Sequence, residues 1–279
     1  MDIAPALLEK VQKEFNRLLS GNKEIKKYNE LIKDGEATYE EMNEYAVLIG
    51  EMLAAAYREI TEEDLPNGKM YFNIADRVVR PTLEEAHTIL ADRTAEMQKG
   101  LNTKAGLGFN AARARLNQSR IRGIVDRLTE AENFDTISRI LKEPVINYAQ
   151  SVVDETLKLN VEFQAKAGVY ADVIRRYDPV PITTYIKRGK NGKIYGPYQQ
   201  TNPMPCKFCL ERAGVYEYGE VGGQREEVYR RHENCRCKIT YYPGKGSYVQ
   251  DVWSKSWQEL NEDKIQERIK QVQTVLEAQ

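Results

Sequence analysis

All four cysteines of the chain lie within one short stretch in its C-terminal part. Cys206 and Cys209 form a C-x-x-C pair, and Cys235 and Cys237 complete an H-x-x-C-x-C pattern that begins at His232. A C-x-x-C pair places two thiolates on one tight turn, and two such knuckles together build tetrahedral sites of sulfur and nitrogen ligands. The pattern therefore predicts one structural zinc site. It offers five candidate ligands for four positions, so one candidate is spare or hydrogen-bonds to a bound thiolate.

Composition favours a metal over disulfide bonds. The 279-residue chain has a formal net charge of −1, and the segment Met1–Pro5 lacks the basic and apolar parts of a secretory signal. We therefore expect a reducing compartment, in which thiols persist. Disulfides and a redox-active C-x-x-C pair are the alternatives, but Pro203, Pro205 and Gly214 do not fit the strand and helix that flank a redox pair. No apolar run has the length of a membrane span, so none is expected.

Hydrophobic periodicity predicts an α+β fold that is mainly α. We expect a helical body over residues 1–178, a β-hairpin and zinc-knuckle module over 179–250, and a C-terminal helix over 251–279. In the body, Thr38–Glu41 is a capping box before an apolar stripe, and Leu65–Gly68 is a turn. Thr82, directly after Pro81, predicts a second helix that ends at Gly100. Pro144 predicts the start of a third.

The module carries its own signals for β structure. Ile182–Tyr198 alternates around Asn191-Gly192, a dipeptide that favours a two-residue hairpin turn. Lys238–Tyr242 suits a short strand that leaves the second knuckle. From about Ser254 onward, apolar residues are spaced for one face of a helix.

Two basic segments admit a nucleic-acid interpretation. The hairpin tip carries Lys187, Arg188, Lys190 and Lys193, with tyrosines nearby that could stack on bases. The alternative is a solvated tip, where lysine discourages edge-to-edge strand pairing. The arginine-rich stretch from residue 110 to 128 reads as a basic helix face, with solvent or an acidic helix as its ordinary partner.

Cationic side chains surround the candidate ligands. A zinc ion with three or four thiolates carries net negative charge, which neighbouring donors and cations stabilise. The alternative is that these residues are ordinary exposed bases. The residues concerned are Lys207, Arg212, Arg230, Arg231, Arg236 and Lys238.

Enzymatic interpretations are weaker. A catalytic zinc keeps an open position and a nearby carboxylate, and Glu233 adjoins His232, but the spacing does not match H-E-x-x-H. A cysteine nucleophile with His232 as base has no need of three further cysteines. The second histidine, His87, lies in an amphipathic stretch and is expected to be a plain helix residue. We therefore expect no enzymatic activity.

The knuckles and their spacer resemble a known family signature. Its first part is Cys206-x-x-Cys209-Leu210-x-x-Ala213-Gly214-x-Tyr216-x-Tyr218, and its second is Tyr229-Arg230-Arg231-His232-Glu233-Asn234-Cys235-Arg236-Cys237 followed by Tyr241. These phrases resemble the C-terminal module of minor head proteins of tailed bacteriophages, the group that includes the Mu F-like proteins. The resemblance covers roughly residues 183–257.

The resemblance implies a virion component present in few copies, at or inside the phage head, and in the host cytoplasm during assembly. Its expected partners are the portal protein, the major capsid protein or scaffold, and the packaged DNA, with a role in head assembly or in DNA packaging and ejection. Some members carry a toxin or enzyme domain after the module. The short stretch that follows Trp257 leaves no room for one, which again predicts a structural protein.

Overall fold

The structure is a computed structural model. It describes residues 2–131, 134, 141–167, 169, 172–177, 182–188, 194–201, 206–216, 226–232 and 235–241, with only the backbone over 182–188, 194–201 and 226–227. These residues form a mainly helical α+β protein, as the periodicity predicts. The helices of the body are α1 (Ala4–Gly21), α2 (Lys23–Lys33), α3 (Tyr39–Tyr57), α4 (Phe72–Lys104), α5 (Gln118–Thr129) and α6 (Lys142–Lys166). A single-turn helix α7 (Lys207–Leu210) and the strands β1 (Val173–Arg176), β2 (Ile182–Arg188), β3 (Ile194–Thr201), β4 (Gly214–Tyr216) and β5 (Lys238–Tyr241) follow.

Helices α3 and α6 pack against each other at the centre of the body. They approach closely at Gly50, where an added Cβ would lie 2.6 Å from the Cα of Ile146. No side chain fits in that space, so a glycine at this position allows the two backbones to touch. The core around them is continuous and includes the fully buried Phe15, Tyr39 and Leu53.

The capping box at the start of α3 is confirmed. The Thr38 hydroxyl accepts a hydrogen bond from the Glu40 amide at 3.2 Å, and the Glu41 carboxylate accepts one from the Thr38 amide at 2.9 Å. These bonds satisfy amides that the first turn of a helix leaves without partners. The turn after α3 is also present, and Asn67 adopts a positive φ of 54° within it.

The prediction that a helix begins at Thr82 is wrong. Helix α4 begins at Phe72, continues through Pro81 and ends at Lys104 rather than at Gly100. The Thr82 hydroxyl does not cap a helix start but lies 3.1 Å from the Val78 carbonyl of the preceding turn. Burial of apolar residues on both sides of Pro81 outweighs the cost of a proline inside the helix.

Helix α6 accommodates Pro144 in its first turn, where a missing amide hydrogen costs little.

A three-stranded antiparallel sheet lies against α3 and α6, in the order β4-β1-β5. Ile174 of the central strand is opposite Val215 of β4 and Thr240 of β5. Strand β1 therefore precedes residue 178 but pairs with strands that come after it. The division of the chain into three domains stays a prediction.

Strands β2 and β3 form the expected antiparallel hairpin, from Ile182 opposite Thr201 to Arg188 opposite Ile194. The Asn191-Gly192 turn and the C-terminal helix expected from Ser254 lie outside the described residues. Among the helices that are described, none is both long and apolar enough to cross a membrane.

Candidate metal centre

The two knuckles are turns that precede regular elements. Cys206 is the N-cap of α7, and its carbonyl accepts a hydrogen bond from the Leu210 amide at 3.0 Å. Cys209 follows within the same turn and points into the protein. In the second knuckle, the Cys235 amide donates to the His232 carbonyl at 3.2 Å, and β5 begins directly after Cys237.

The structure brings all five predicted ligands into one cluster. The His232 Nε2 atom lies 3.3 Å from the Cys206 sulfur and 2.8 Å from the Cys209 sulfur, and the sulfurs of Cys209 and Cys235 are 3.8 Å apart. Cys209, Cys235 and Cys237 form a second group whose sulfurs all lie within 4.8 Å of one another. Cys209 therefore belongs to both groups.

The separation of two of the sulfurs fits a shared metal ion, whereas the 2.8 Å between His232 Nε2 and the Cys209 sulfur is shorter than the spacing of two ligands on one zinc. Two sulfurs bound tetrahedrally to one zinc at about 2.3 Å lie about 3.8 Å apart. The separation of the Cys209 and Cys235 sulfurs matches that value. All four cysteines are free thiols, so the cluster is not a pair of disulfides. The Cys/His group could therefore hold a metal ion.

The cluster is closed on most sides. Cys209, Cys235 and Cys237 are at most 2% exposed, whereas Cys206 is half-buried. Phe208 covers the cluster with its ring edge-to-face against the His232 imidazole, at 5.2 Å between centroids. Hydrogen bonds from Cys209 and Cys237 lower the pKa of the Cys235 thiol, which favours a thiolate at this position.

Arg175 is a residue of the cluster that the motif did not indicate. Its guanidinium is fully buried, and Nη2 lies 3.6 Å from the Cys235 sulfur. Nη1 donates to the carbonyl of Arg230 at 2.9 Å and to that of Val228. A buried cation beside a thiolate offsets its negative charge. The sequence feature that could have indicated Arg175 is the alternation of β1, in which Val173 and Arg175 share the buried face.

The six cations expected around the cluster take different positions. Arg231 is buried, and its Nη1 atom donates to the Cys237 carbonyl at 2.8 Å. The other five are exposed or face carboxylates or the Phe208 ring. These are Lys207 with Glu211, Arg212 over Phe208, Arg230 on the surface, Arg236 with Glu143, and Lys238 with Glu44.

One face of α6 binds the second knuckle. We call it the polar stripe, and it consists of Glu143, Asn147, Gln150 and Asp154. Their spacing places them on one side of a helix. Asn147 and Gln150 bind the backbone of the knuckle. The side-chain amide of Asn147 donates to the His232 carbonyl at 3.1 Å. With its nitrogen facing the knuckle, the Gln150 amide donates to the Cys235 carbonyl at 3.0 Å.

The two acidic members of the polar stripe bind arginines of the knuckle. Glu143 pairs with Arg236 at 2.6 Å. Asp154 pairs with Arg231, whose Nη2 lies 2.9 Å from the second carboxylate oxygen. Nη2 of Arg231 also donates to the Asn43 side chain of α3 at 3.1 Å. The knuckle is thus fixed to the helical body by side chains of both α3 and α6.

The residues of the alternative hypotheses are only partly described. Lys187 and Arg188 lie in β2, whereas Lys190, Lys193 and Glu233 lie outside the described residues. The basic stretch from residue 110 becomes helical only at Gln118. It is also not uniformly cationic, because Arg113 pairs with Asp92 and Arg122 with Asp126. His87 lies in α4 as expected, but it is buried at 4% exposure.

Comparison of the chain with protein-family models, with curated proteins and with solved structures finds no match. A functional conclusion therefore rests on the cluster, its surroundings and the residue pattern that forms it.

Proposed function

We propose that the chain is a minor head protein of a tailed bacteriophage, a portal-proximal virion component in which zinc stabilises the C-terminal module. The observation that carries the proposal is the convergence of both signature knuckles on one Cys/His cluster. The partners would be the portal protein, the major capsid protein or scaffold, and the packaged DNA.

The surroundings of the cluster support a structural role for the metal. A catalytic zinc keeps a position open for water, with a carboxylate base beside it. Here the described neighbours of the cluster include a buried arginine, Arg175, and the rings of Phe208 and Tyr177. The chain also supplies more soft ligands than a four-coordinate ion uses, which favours a closed shell of protein ligands.

Zinc is the metal that this ligand set suits. Thiolate and imidazole ligands in tetrahedral spacing are typical of zinc, and carboxylate-rich sites are typical of magnesium or calcium. The sheet next to the cluster is small, and its strands β4 and β5 extend from the two knuckles. Metal binding would therefore contribute folding free energy to the segments that carry the ligands.

The proposal is tested on phage particles that contain this chain. Quantitative mass spectrometry would compare its amount with the portal and major capsid proteins. We expect a copy number similar to or below that of the portal protein. An amount similar to the major capsid protein would indicate a shell protein instead, and absence from the particle would contradict a virion role.

A second measurement tests the role of zinc. Elemental analysis of the purified chain is expected to find one zinc per molecule, and Cys209→Ser, which removes the sulfur common to both groups, is expected to lose it. His87→Gln is the matched control, because His87 is the one histidine outside the cluster. Because five candidates serve four positions, retention by Cys209→Ser alone would identify Cys209 as the spare candidate. Full retention when Cys209→Ser is combined with Cys235→Ser, which leaves three candidates, would contradict the proposed ligand set.

The confirmed hairpin supports DNA contact as a second candidate function. The β2–β3 pairing places Lys187 and Arg188 at the end of the ladder nearest the turn. If the hairpin binds DNA, its affinity for DNA falls steeply as the salt concentration rises. Replacing both residues by glutamine then reduces the slope of log affinity against log salt concentration. Binding that does not respond to salt would exclude this function.

A further inference from the structure

The five candidate ligands consist of three inner sulfurs and two outer atoms. Cys209, Cys235 and Cys237 are at most 2% exposed, and their sulfurs all lie within 4.8 Å of one another. Cys206 and His232 are half-buried and form the second group together with Cys209. A tetrahedral site that uses the three inner sulfurs has one position left. The two outer candidates therefore compete for that position.

The contact between His232 and Cys209 has the length of a hydrogen bond. A nitrogen and a sulfur bound to one tetrahedral zinc, at about 2.0 and 2.3 Å, lie about 3.6 Å apart. The observed separation of Nε2 from the Cys209 sulfur is 2.8 Å. An imidazole nitrogen either carries a proton and donates it or offers a lone pair to a metal. In this arrangement Nε2 is placed as a donor to the Cys209 sulfur, which leaves the fourth position to Cys206.

Cys206 is fixed at the cluster but remains accessible. Its amide donates to the Tyr177 hydroxyl at 3.2 Å, and its carbonyl accepts from the Leu210 amide at 3.0 Å. These bonds hold the backbone of the first knuckle, whereas the side chain of Cys206 belongs to a half-buried residue. Access controls the reactivity of thiols. Among the four cysteines, Cys206 is therefore the one that an electrophile in solution reaches first.

His232 is held where it can replace Cys206. Its Nε2 atom lies 3.3 Å from the Cys206 sulfur, so the two outer candidate atoms are in contact. The Asn147 side chain binds the His232 carbonyl at 3.1 Å, and the Phe208 ring packs edge-to-face on the imidazole. Neither of these two contacts involves the Cys206 sulfur. They therefore persist when that sulfur no longer serves as a ligand.

We propose that Cys206 and His232 are interchangeable fourth ligands, an exchange that rests on the zinc site of the proposed function. Cys206 is then a modification site for electrophiles whose reaction does not release the metal. The Cys206 thiolate forms a bond to the electrophilic carbon, the leaving group departs with its bonding electrons, and the thioether that results is no longer a thiolate ligand. His232 then binds through Nε2, and the imidazole proton is carried on Nδ1.

Native mass spectrometry of the zinc-loaded full chain, treated with iodoacetamide, tests the exchange. We expect the first carbamidomethyl group on Cys206, with iodide as leaving group, and one zinc retained. His232→Gln is expected to bind one zinc before the treatment and to lose it once Cys206 is alkylated. His87→Gln changes the histidine outside the cluster and is expected to behave as the unsubstituted chain does.

Three results of this experiment would overturn the proposal. The first is alkylation of an inner cysteine before Cys206. The second is loss of zinc from the unsubstituted chain when only Cys206 is alkylated. The third is that His232→Gln either lacks zinc before the treatment or keeps it afterwards, because His232 would then be a permanent ligand or not a ligand at all.

Nitrogen-15 NMR of the imidazoles follows the exchange without any substitution in the cluster. The chain has two histidines, and His87→Gln assigns their signals. We expect Nε2 of His232 to carry a proton in the untreated zinc-loaded chain. After alkylation of Cys206, we expect that proton on Nδ1 and a metal-bound shift at Nε2. A metal-bound Nε2 before alkylation, or the same tautomer before and after, would contradict the exchange.

Failure of the exchange is distinguishable from failure of the zinc site. Absence of zinc from the untreated chain would contradict the metal site and the exchange together. Zinc that is present in the untreated chain and leaves on alkylation of Cys206 would contradict the exchange alone, and the structural zinc site would stand with four cysteine ligands.

Discussion

Arg231 of the second knuckle forms an ion pair with Asp154 of α6, and the two side chains are only 1% and 4% exposed. Burial opposes the charge of Arg231, but the Asp154 carboxylate raises the pKa of the guanidinium above its ordinary value. The arginine stays charged and also binds the carbonyl of Cys237 at 2.8 Å. This pair therefore connects the ligand-bearing segment to the centre of the helical body.

Asp154→Asn is expected to lower the free energy of unfolding by about 3–5 kcal/mol, because it leaves a buried arginine without its counter-charge. Urea unfolding followed by circular dichroism measures the change. Asp126→Asn, which removes the carboxylate of an exposed pair with Arg122, is expected to cost less than about 1 kcal/mol. Equal effects of the two substitutions would show that the buried pair contributes no more than a surface one.

Arg175→Gln is expected to weaken zinc binding about 10- to 100-fold, the usual effect of removing a group that stabilises a ligand. The cause is the loss of the guanidinium next to the Cys235 sulfur. Competition with a chromophoric chelator gives the affinity. Its neighbour in the same strand, Arg176, pairs with Glu40 at the surface, so Arg176→Gln is the control. An unchanged zinc affinity of the Arg175→Gln variant would show that Arg175 does not stabilise the metal site.

Removal of the metal is expected to act locally. Chelation at neutral pH would increase amide hydrogen exchange in β4 and β5, whose ends carry the knuckles, because metal binding and folding are coupled there. Helices α1 and α4 pack in the continuous apolar core away from the cluster and are expected to keep their protection. Uniform loss of protection across both regions would contradict this expectation.

Two glycines in helices are expected to respond to alanine with opposite signs. Gly50→Ala would place a Cβ 2.6 Å from the Ile146 Cα and force α3 and α6 apart, a cost of about 1–3 kcal/mol. At Gly123 of α5, an added Cβ meets nothing within 4 Å, so alanine is expected to stabilise by up to about 1 kcal/mol. Thermal unfolding of both variants measures the difference. A stabilising Gly50→Ala would contradict the close approach.

Local signals predicted the elements whose causes are local. The capping box at Thr38 and the strand after Cys237 are present because their determinants lie within a few residues. The spacing of the metal-ligand residues likewise predicted that five of them form one cluster, without knowledge of the fold. The start of α4 was missed because packing on both sides of Pro81 decides it, and that packing involves distant helices.

The surroundings of the cluster were not visible in the sequence for the same reason. Arg175 lies in β1, with the β2–β3 hairpin between it and the first knuckle, and the pairing of β1 with β5 brings it to Cys235. The polar stripe of α6 has the pattern of a solvated helix face. Its members Gln150 and Asp154 are buried because the knuckle covers them. Polar periodicity alone does not distinguish solvent from a polar partner segment.

The strand order β4-β1-β5 has a consequence for synthesis on the ribosome. The central strand, Val173–Arg176, leaves the ribosome before either of its neighbours, and its last partner ends at Tyr241. The nascent chain therefore carries Arg175 without its sulfur neighbour until the second knuckle has emerged. Closure of the sheet, and of the Cys/His group that could hold a metal ion, therefore waits until Tyr241 has been synthesised, after all six helices of the body.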